Sequence, residues 1–427
     1  MPSRRPIRPR QTHVASPGGA CHRGDVANTF TEPEPSPLLL LLGEGQDPLS
    51  ERGVDCPGGL PAPSDPDLVR RARAARDALG DRAFILGHHY QRDEVIEFAD
   101  VTGDSFKLAQ KAAARPDSEF IVFCGVHFMA ESADILTNDD QIVVLPDMAA
   151  GCSMADMAAA DQVADAWRTL EAAGIADVTI PVTYMNSTAA IKAFTGEHGG
   201  TICTSSNAEQ SLRWAFEQGD KVLFLPDQHL GRNTAASFGI DVAKHSCVYD
   251  PRATRRGEGV GGSTEKQITD ANVILWAGHC SVHKLFRPEH CDEIRALDPE
   301  MKILVHPECA KEVVDKSDLA GSTEFIIKTI REAKPGSKWA VGTEVHLVNR
   351  IAREAESRGV TVRILSSCQC LCTTMYRIDE PHLLWVLDHL AQGKVVNRVQ
   401  VHPDARTPAL EALDRMLALV DAPALVD

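Results

Sequence analysis

Cys152, Cys280 and Cys372 are the residues of this chain best suited to chemistry. Each stands within a few residues of the end of an apolar run that reads as a buried strand: QIVVLPDMAAGC, ANVILWAGHC and VTVRILSSCQCLC. Strand ends in parallel sheets are where α/β folds place reactive groups. Three thiolates brought there from distant parts of the chain suggest one shared metal site with an open corner. A closed tetrahedral zinc site would use four protein ligands, two of them in a local C-x2–4-C hook. These cysteines are more than 90 residues apart. An iron–sulfur cluster with one iron lacking a cysteine fits that spacing better.

Other polar clusters fall at strand ends as well. His88, His89 and Tyr90 are acid–base types able to move a proton or face a developing oxyanion. Tyr184, Asn186, Ser187 and Thr188 form a hydroxyl- and amide-rich tip, and His306 and Glu308 a second possible base pair. A lone histidine at a strand end is more often a structural hydrogen-bonder than a catalyst. Three such clusters at equivalent places shift the balance towards function. Small polar residues also open helices at Asp104-Ser105, Ser205-Ser206-Asn207 and Ser322-Thr323. N-capping explains some of them, and the same geometry aims backbone amides at a carboxylate or phosphate. Cys124, Cys203 and Cys309 read as small core residues, while Cys247 falls in an insertion at 247–268 and Cys291 in a polar stretch. Cys368, Cys370 and Cys372 crowd one segment, and any of the three satisfies the pattern as the third ligand.

The elements that must position these groups alternate between short apolar runs and helical stretches from about residue 66, the pattern of a parallel α/β fold. A weak internal repeat is visible. AFILGHHY, VTIPVTYMNST and MKILVHPEC open three units; EFIVFCG, GTICTSSN and SDLAGST follow; IVVLPD, KVLFLPD and KWAVGTE come third. The second and third elements are 21 or 22 residues apart in each copy. Three βαβ units with their strand ends on one side can face a common centre. The expectation is three similar parallel-sheet αβα sandwich domains in pseudo-threefold arrangement around a central site: residues 63–150, 151–270 and 271–375. The C-terminal helices, 376–427, are expected to join the first, with Thr407-Pro408 opening the last helix. Residues 247–268 read as an exposed insertion because of their glycines and charges.

Composition bounds the rest. The 427 residues are 43% hydrophobic, ordinary for a soluble protein, and the net charge of −16 argues against a nucleic-acid surface. Twelve cysteines are too few for a disulfide scaffold. The early apolar run at residues 38–42 is far shorter than the ~20 residues that cross a bilayer. Free thiols in a reducing cytoplasm are expected. Residues 1–62, rich in Pro, Gly, Arg and Ser without a sustained period, read as a disordered extension.

Taken together, the motifs resemble the quinolinate synthase (NadA-type) family of de novo NAD biosynthesis. GHHYQRDEVIEFADVTGDS, FCGVHFMAESADIL, AAGCSMADM, YMNSTAAIKA, TSSNA, GHCSVHKLF, HPECAKEV, AGST and the stretch from Cys372 through Met375 to Asp379 occur in the family's order. The resemblance implies a transferase that condenses iminoaspartate with dihydroxyacetone phosphate, releasing phosphate and two waters without net redox change. It also implies an oxygen-sensitive [4Fe–4S] cluster, one per chain, acting as a Lewis acid. One cysteine per domain would hold it: Cys152, Cys280 and Cys372, with Cys370 the alternative for the last. Substrate contacts implied are His88, Ser105, Tyr184, Asn186, Ser205, His283, His306, Glu308, Ser322 and Thr323. Glu308 and His306 would transfer protons, Tyr90 and Tyr184 would lie over the triose, and His88 completes the catalytic set. A transient contact with L-aspartate oxidase is a further expectation. Two other readings stand beside this one: an inactive iron–sulfur sensor on the same scaffold, and a zinc lyase using His and Glu ligands.

Overall fold

The computed structural model describes residues 60–367 and 370–421. Residues 1–59 of the extension read as disordered, and Cys368, lie outside the described residues. Three mostly parallel sheets flanked by helices make up the fold. The first contains β1 (Ala83–His88), β2 (Val101–Gly103), β3 (Phe120–Cys124) and β4 (Ile142–Val144), in the order β2-β1-β3-β4. The second contains β5 (Thr179–Tyr184), β6 (Thr201–Cys203), β7 (Lys221–Leu225), β8 (Ser246–Tyr249) and β9 (Val273–Trp276), in the order β6-β5-β7-β9-β8. The third contains β10 (Lys302–Val305), β11 (Leu319–Ala320), β12 (Lys338–Gly342) and β13 (Thr361–Ile364), in the order β11-β10-β12-β13. Central strands such as β1 and β3 are buried at every residue, as expected where helices cover both faces of a parallel sheet.

Register makes the three sheets equivalent at one place. Gly87, Thr183 and Val305 pair with Cys124, Leu225 and Gly342. His88, Tyr184 and His306 are the next residues in each, so the three polar tips emerge at the same height.

The repeat was in the wrong register in its first copy. EFIVFCG forms β3, the counterpart of β7 and β12, whereas GTICTSSN and SDLAGST supply edge strands. The matching edge strand of the first sheet is the three-residue β2, reached through the four-residue helix Asp93–Ile96. Neither is long enough to show a period in sequence.

Residues 247–268 are not simply an exposed insertion. Cys247 and Tyr249 point inward from β8, which pairs with β9, and Tyr249 stacks on Trp276 at 5.6 Å. Four alternating residues were hidden beside glycines and charges.

The two C-terminal helices also part company. Glu380–Ala391 packs on Leu68–Leu79 beside the first sheet, and the strand Arg398–Val399 pairs antiparallel with β4. The last helix, Pro403–Asp421, instead lies on the helix Ala189–Glu197 and on β6 of the second sheet. It begins at Pro403, leaving Pro408 inside. Among the described residues no helix is long and apolar enough to cross a membrane.

Candidate active site

The carboxyl ends of the parallel strands converge on one cavity. Cys152, Cys280 and Cys372 all line it, one following the strand that lies fourth across each sheet from the β2, β6 and β11 edge: β4, β9 and β13. Each cysteine leads into a three-residue 3-10 turn: Ala155–Met157, His283–Leu285 and Met375–Arg377. In each the cysteine carbonyl accepts from the amide four residues on, at 3.1, 3.1 and 3.0 Å. The sulfurs face amides of the same turns: Ala155 and Met154 for Cys152, His283 for Cys280, Met375 and Thr374 for Cys372. Such N–H donors favour a thiolate, which is what a metal or cluster ligand must be. Without metal, burial dominates and raises all three thiols, Cys152 to about 12. Metal uptake must therefore release protons. The donor set fits a three-cysteine cluster. Cys370 occupies the place of Ala150 and Gly278, two residues before a cavity cysteine, and is fully buried in the core of the third sheet.

The strand-tip residues share the cavity with the thiols. His88 and His306 are buried, and burial lowers each to about 3, so both are neutral at pH 7. Their Nδ1 atoms accept from the Tyr90 and Glu308 amides at 3.1 and 3.3 Å. Each ring's proton is consequently on Nε2.

A continuous chain of hydrogen bonds crosses the site. Glu308 accepts from His283 Nδ1 at 2.7 Å, and His283 Nε2 meets Thr343 Oγ1 at 3.1 Å. Thr343 bonds the Tyr90 hydroxyl at 2.9 Å, and that hydroxyl also meets Thr323 at 3.2 Å. On its other side Glu308 lies within reach of the Tyr184 hydroxyl, which Ser205 contacts in turn. Burial alone would raise the Glu308 carboxyl. The facing imidazole of His283, with the bonds from His283 and Tyr184, outweighs it and holds the group ionised. Burial first, and the Glu308 charge second, push both tyrosines well above their ordinary range, so they stay protonated.

Most of the expected residues meet here. His88, Tyr90, Ser105, Tyr184, Asn186, Ser205, His306, Glu308 and Thr323 line the cavity with the three cysteines. His283 stands one layer behind, stacked on His306 at 4.4 Å. Ser322 is not on the wall: its hydroxyl caps the helix Thr323–Arg331 through the Phe325 amide at 3.3 Å. Among the other strand-tip residues, His89 turns to Glu324 at 3.1 Å and Thr188 caps the helix Ala189–Glu197. Sequence reasoning assigned no role to Thr343, the hydroxyl joining Tyr90 to His283, although it lies inside the recognised segment KWAVGTE, one residue past the end of β12. It also missed the apolar wall of Phe106, Phe128, Met129, Met154 and Met185, which reads as ordinary core in sequence.

A sequence profile described as "Quinolinate synthetase A protein" matches residues 70–418. The chain belongs to this family. Similar family members include the quinolinate synthase of Streptomyces coelicolor, 61% identical over 388 residues, covering 90% of this chain and 97% of that protein. The quinolinate synthase of a Nocardioides species is 62% identical, covering 89% and 96%. The one from Anoxybacillus flavithermus is 54% identical, covering 82% and 93%.

Proposed function

We propose that this chain is a quinolinate synthase, a transferase condensing iminoaspartate with dihydroxyacetone phosphate to give quinolinate, phosphate and water for NAD biosynthesis. The observation that carries the reading is the meeting of three thiols, one from each sheet, at a buried cavity beside an ionised Glu308. Cys152, Cys280 and Cys372 would hold a [4Fe–4S] cluster, which when bound supplies a Lewis-acidic iron with an open position.

The chain's own groups serve the rest of the reaction. His88 and His306 offer Nε2–H donors to substrate oxygens without carrying charge. Ser105, Asn186, Ser205 and Thr323 add hydroxyls and an amide for carboxylate and phosphate. Glu308 is the base for carbon-bound protons, oriented by His283. Tyr90 and Tyr184, held protonated, donate to the triose oxygens and to the hydroxyls that leave as water. The methionine and phenylalanine wall keeps bulk water from a hydrolysable imine.

A zinc ion held by Cys280, His283 and Glu308 is the second reading, since their ligand atoms lie within 4.8 Å of one another. Both ring nitrogens of His283 are already engaged, by Glu308 and Thr343. Zinc there would break one of those bonds and leave Cys152 and Cys372 without a part.

Anaerobically purified protein, given dihydroxyacetone phosphate and freshly generated iminoaspartate, is expected to form quinolinate. Glu308→Gln should keep its iron and brown colour but lose roughly 10²–10⁴ in rate, the usual contribution of a positioned base. Iron-loaded wild-type protein that makes no quinolinate would refute the reading.

A further inference from the structure

The three cysteine loops share one more backbone contact. The amides of His127, Gln228 and Val345 donate to the carbonyls of Ala150, Gly278 and Cys370 at 2.9, 3.0 and 3.0 Å. In every case the acceptor lies two residues before a cavity cysteine. The residue just before each donor differs: Val126, Asp227 and Glu344. Both acids are fully buried, and each opens the helix after the third of the sheet's parallel strands counted along the chain.

One carboxylate oxygen of each makes the cap. Asp227 Oδ1 accepts from the His229 and Leu230 amides at 2.7 and 2.9 Å. Glu344 Oε2 accepts from His346 and Leu347 at 2.7 and 3.3 Å. Capping needs only that oxygen, and Ser or Thr would supply it without a second buried acceptor to satisfy. The second oxygens differ: one bonds a cysteine amide and the other is left over. Glu344 Oε1 accepts from the Cys372 amide at 3.4 Å as well as from His346 Nδ1 at 3.0 Å. Asp227 Oδ2 has no hydrogen-bond partner within normal geometry among the described residues, and the Cys280 amide is the backbone donor beside the carboxyl that its cap does not use.

We propose that Asp227 and Glu344 are positioning residues for Cys280 and Cys372. Glu344 ties the main chain of Cys372 to a rigid helix start through that bond, and Asp227 sets its buried carboxyl against the main chain of Cys280, so that each sulfur faces the cavity before metal arrives. Val126 cannot do this, so the Cys152 loop relies on its backbone contact and on Asp147, which accepts from the Ala149 amide at 2.8 Å. The inference rests on the reading of these cysteines as cluster ligands.

The test is the rate at which an iron chelator strips iron anaerobically from wild type, Asp227→Ser and Glu344→Ser. Serine keeps the cap and removes the second oxygen. Thr264→Ala, which breaks the capping box of the distant helix Glu265–Asp270, controls for lost helix stability. Both serine variants are expected to release iron about tenfold faster than wild type and to alter the spectrum of the reduced cluster. Thr264→Ala should melt earlier with wild-type iron release. Should a serine variant fail to fold, Asp227→Asn and Glu344→Gln serve in its place, because an amide that keeps its oxygen on the cap turns NH2 towards the cysteine amide. Wild-type release rates in the acid variants, with iron present throughout, would overturn this inference alone. Wild-type protein that takes up no iron would overturn the cluster reading and this inference with it.

Discussion

At the scale of single residues, the site depends on keeping two imidazoles neutral and one carboxylate charged within a few ångströms. His88 shows how burial does the first. Its folded value, about 3, lies below the ordinary 6.5 because desolvation penalises the cation. The unfolded chain therefore binds a proton that the folded chain refuses as pH falls below 6.5. Stability from this residue is fully present above 6.5 and is lost progressively towards pH 3, at up to ~1.4 kcal/mol per pH unit. His88→Gln removes the effect. Urea unfolding at pH 7 and pH 5 should show a loss in wild type that exceeds the variant's by about 2 kcal/mol. Equal losses in the two proteins would mean that His88 is solvated. Histidine, tyrosine and glutamate tips were legible in sequence because each ends a strong apolar run. The tautomers were not, since they follow from a turn in which the amide two residues on folds back to Nδ1.

At the scale of elements, strands within apolar runs or beside a repeated motif announced themselves, and two short ones among polar neighbours did not. β1, β3, β5, β7 and β12 each run to five or six residues and were read directly from sequence. β2 and β8, of three and four residues, were lost among polar neighbours. The last helix shows a different limit: an amphipathic stripe says that a face is buried but not against what. Its partner is recorded in a glycine. A Cβ built at Gly196 would lie 1.8 Å from the Pro408 carbonyl oxygen, which no real contact permits. Arg415 fastens the same pairing through the Gly200 carbonyl at 2.7 Å. Gly196→Ala must push the helix away and is expected to cost about 3 kcal/mol by overpacking, read as a lower denaturation midpoint. An unchanged midpoint would show that the C-terminal helix does not bear on the second sheet as described.

At the scale of the whole molecule, three sheets contribute one cysteine and one polar strand tip each, and no sheet alone holds a working site. The arrangement also answers how a chain of net charge −16 would take anionic substrates. On the proposed function, attraction would come from neutral N–H and O–H donors inside the cavity and not from the surface field. Threefold correspondence places Cys372 with Cys152 and Cys280, and Cys370 with Ala150 and Gly278. Iron content of anaerobically purified single variants tests this most directly. Wild type and Cys370→Ala are predicted to carry about four iron per chain, as a three-cysteine [4Fe–4S] site requires, and Cys152→Ala, Cys280→Ala and Cys372→Ala to carry almost none. Full iron in Cys372→Ala together with its loss in Cys370→Ala would contradict the account.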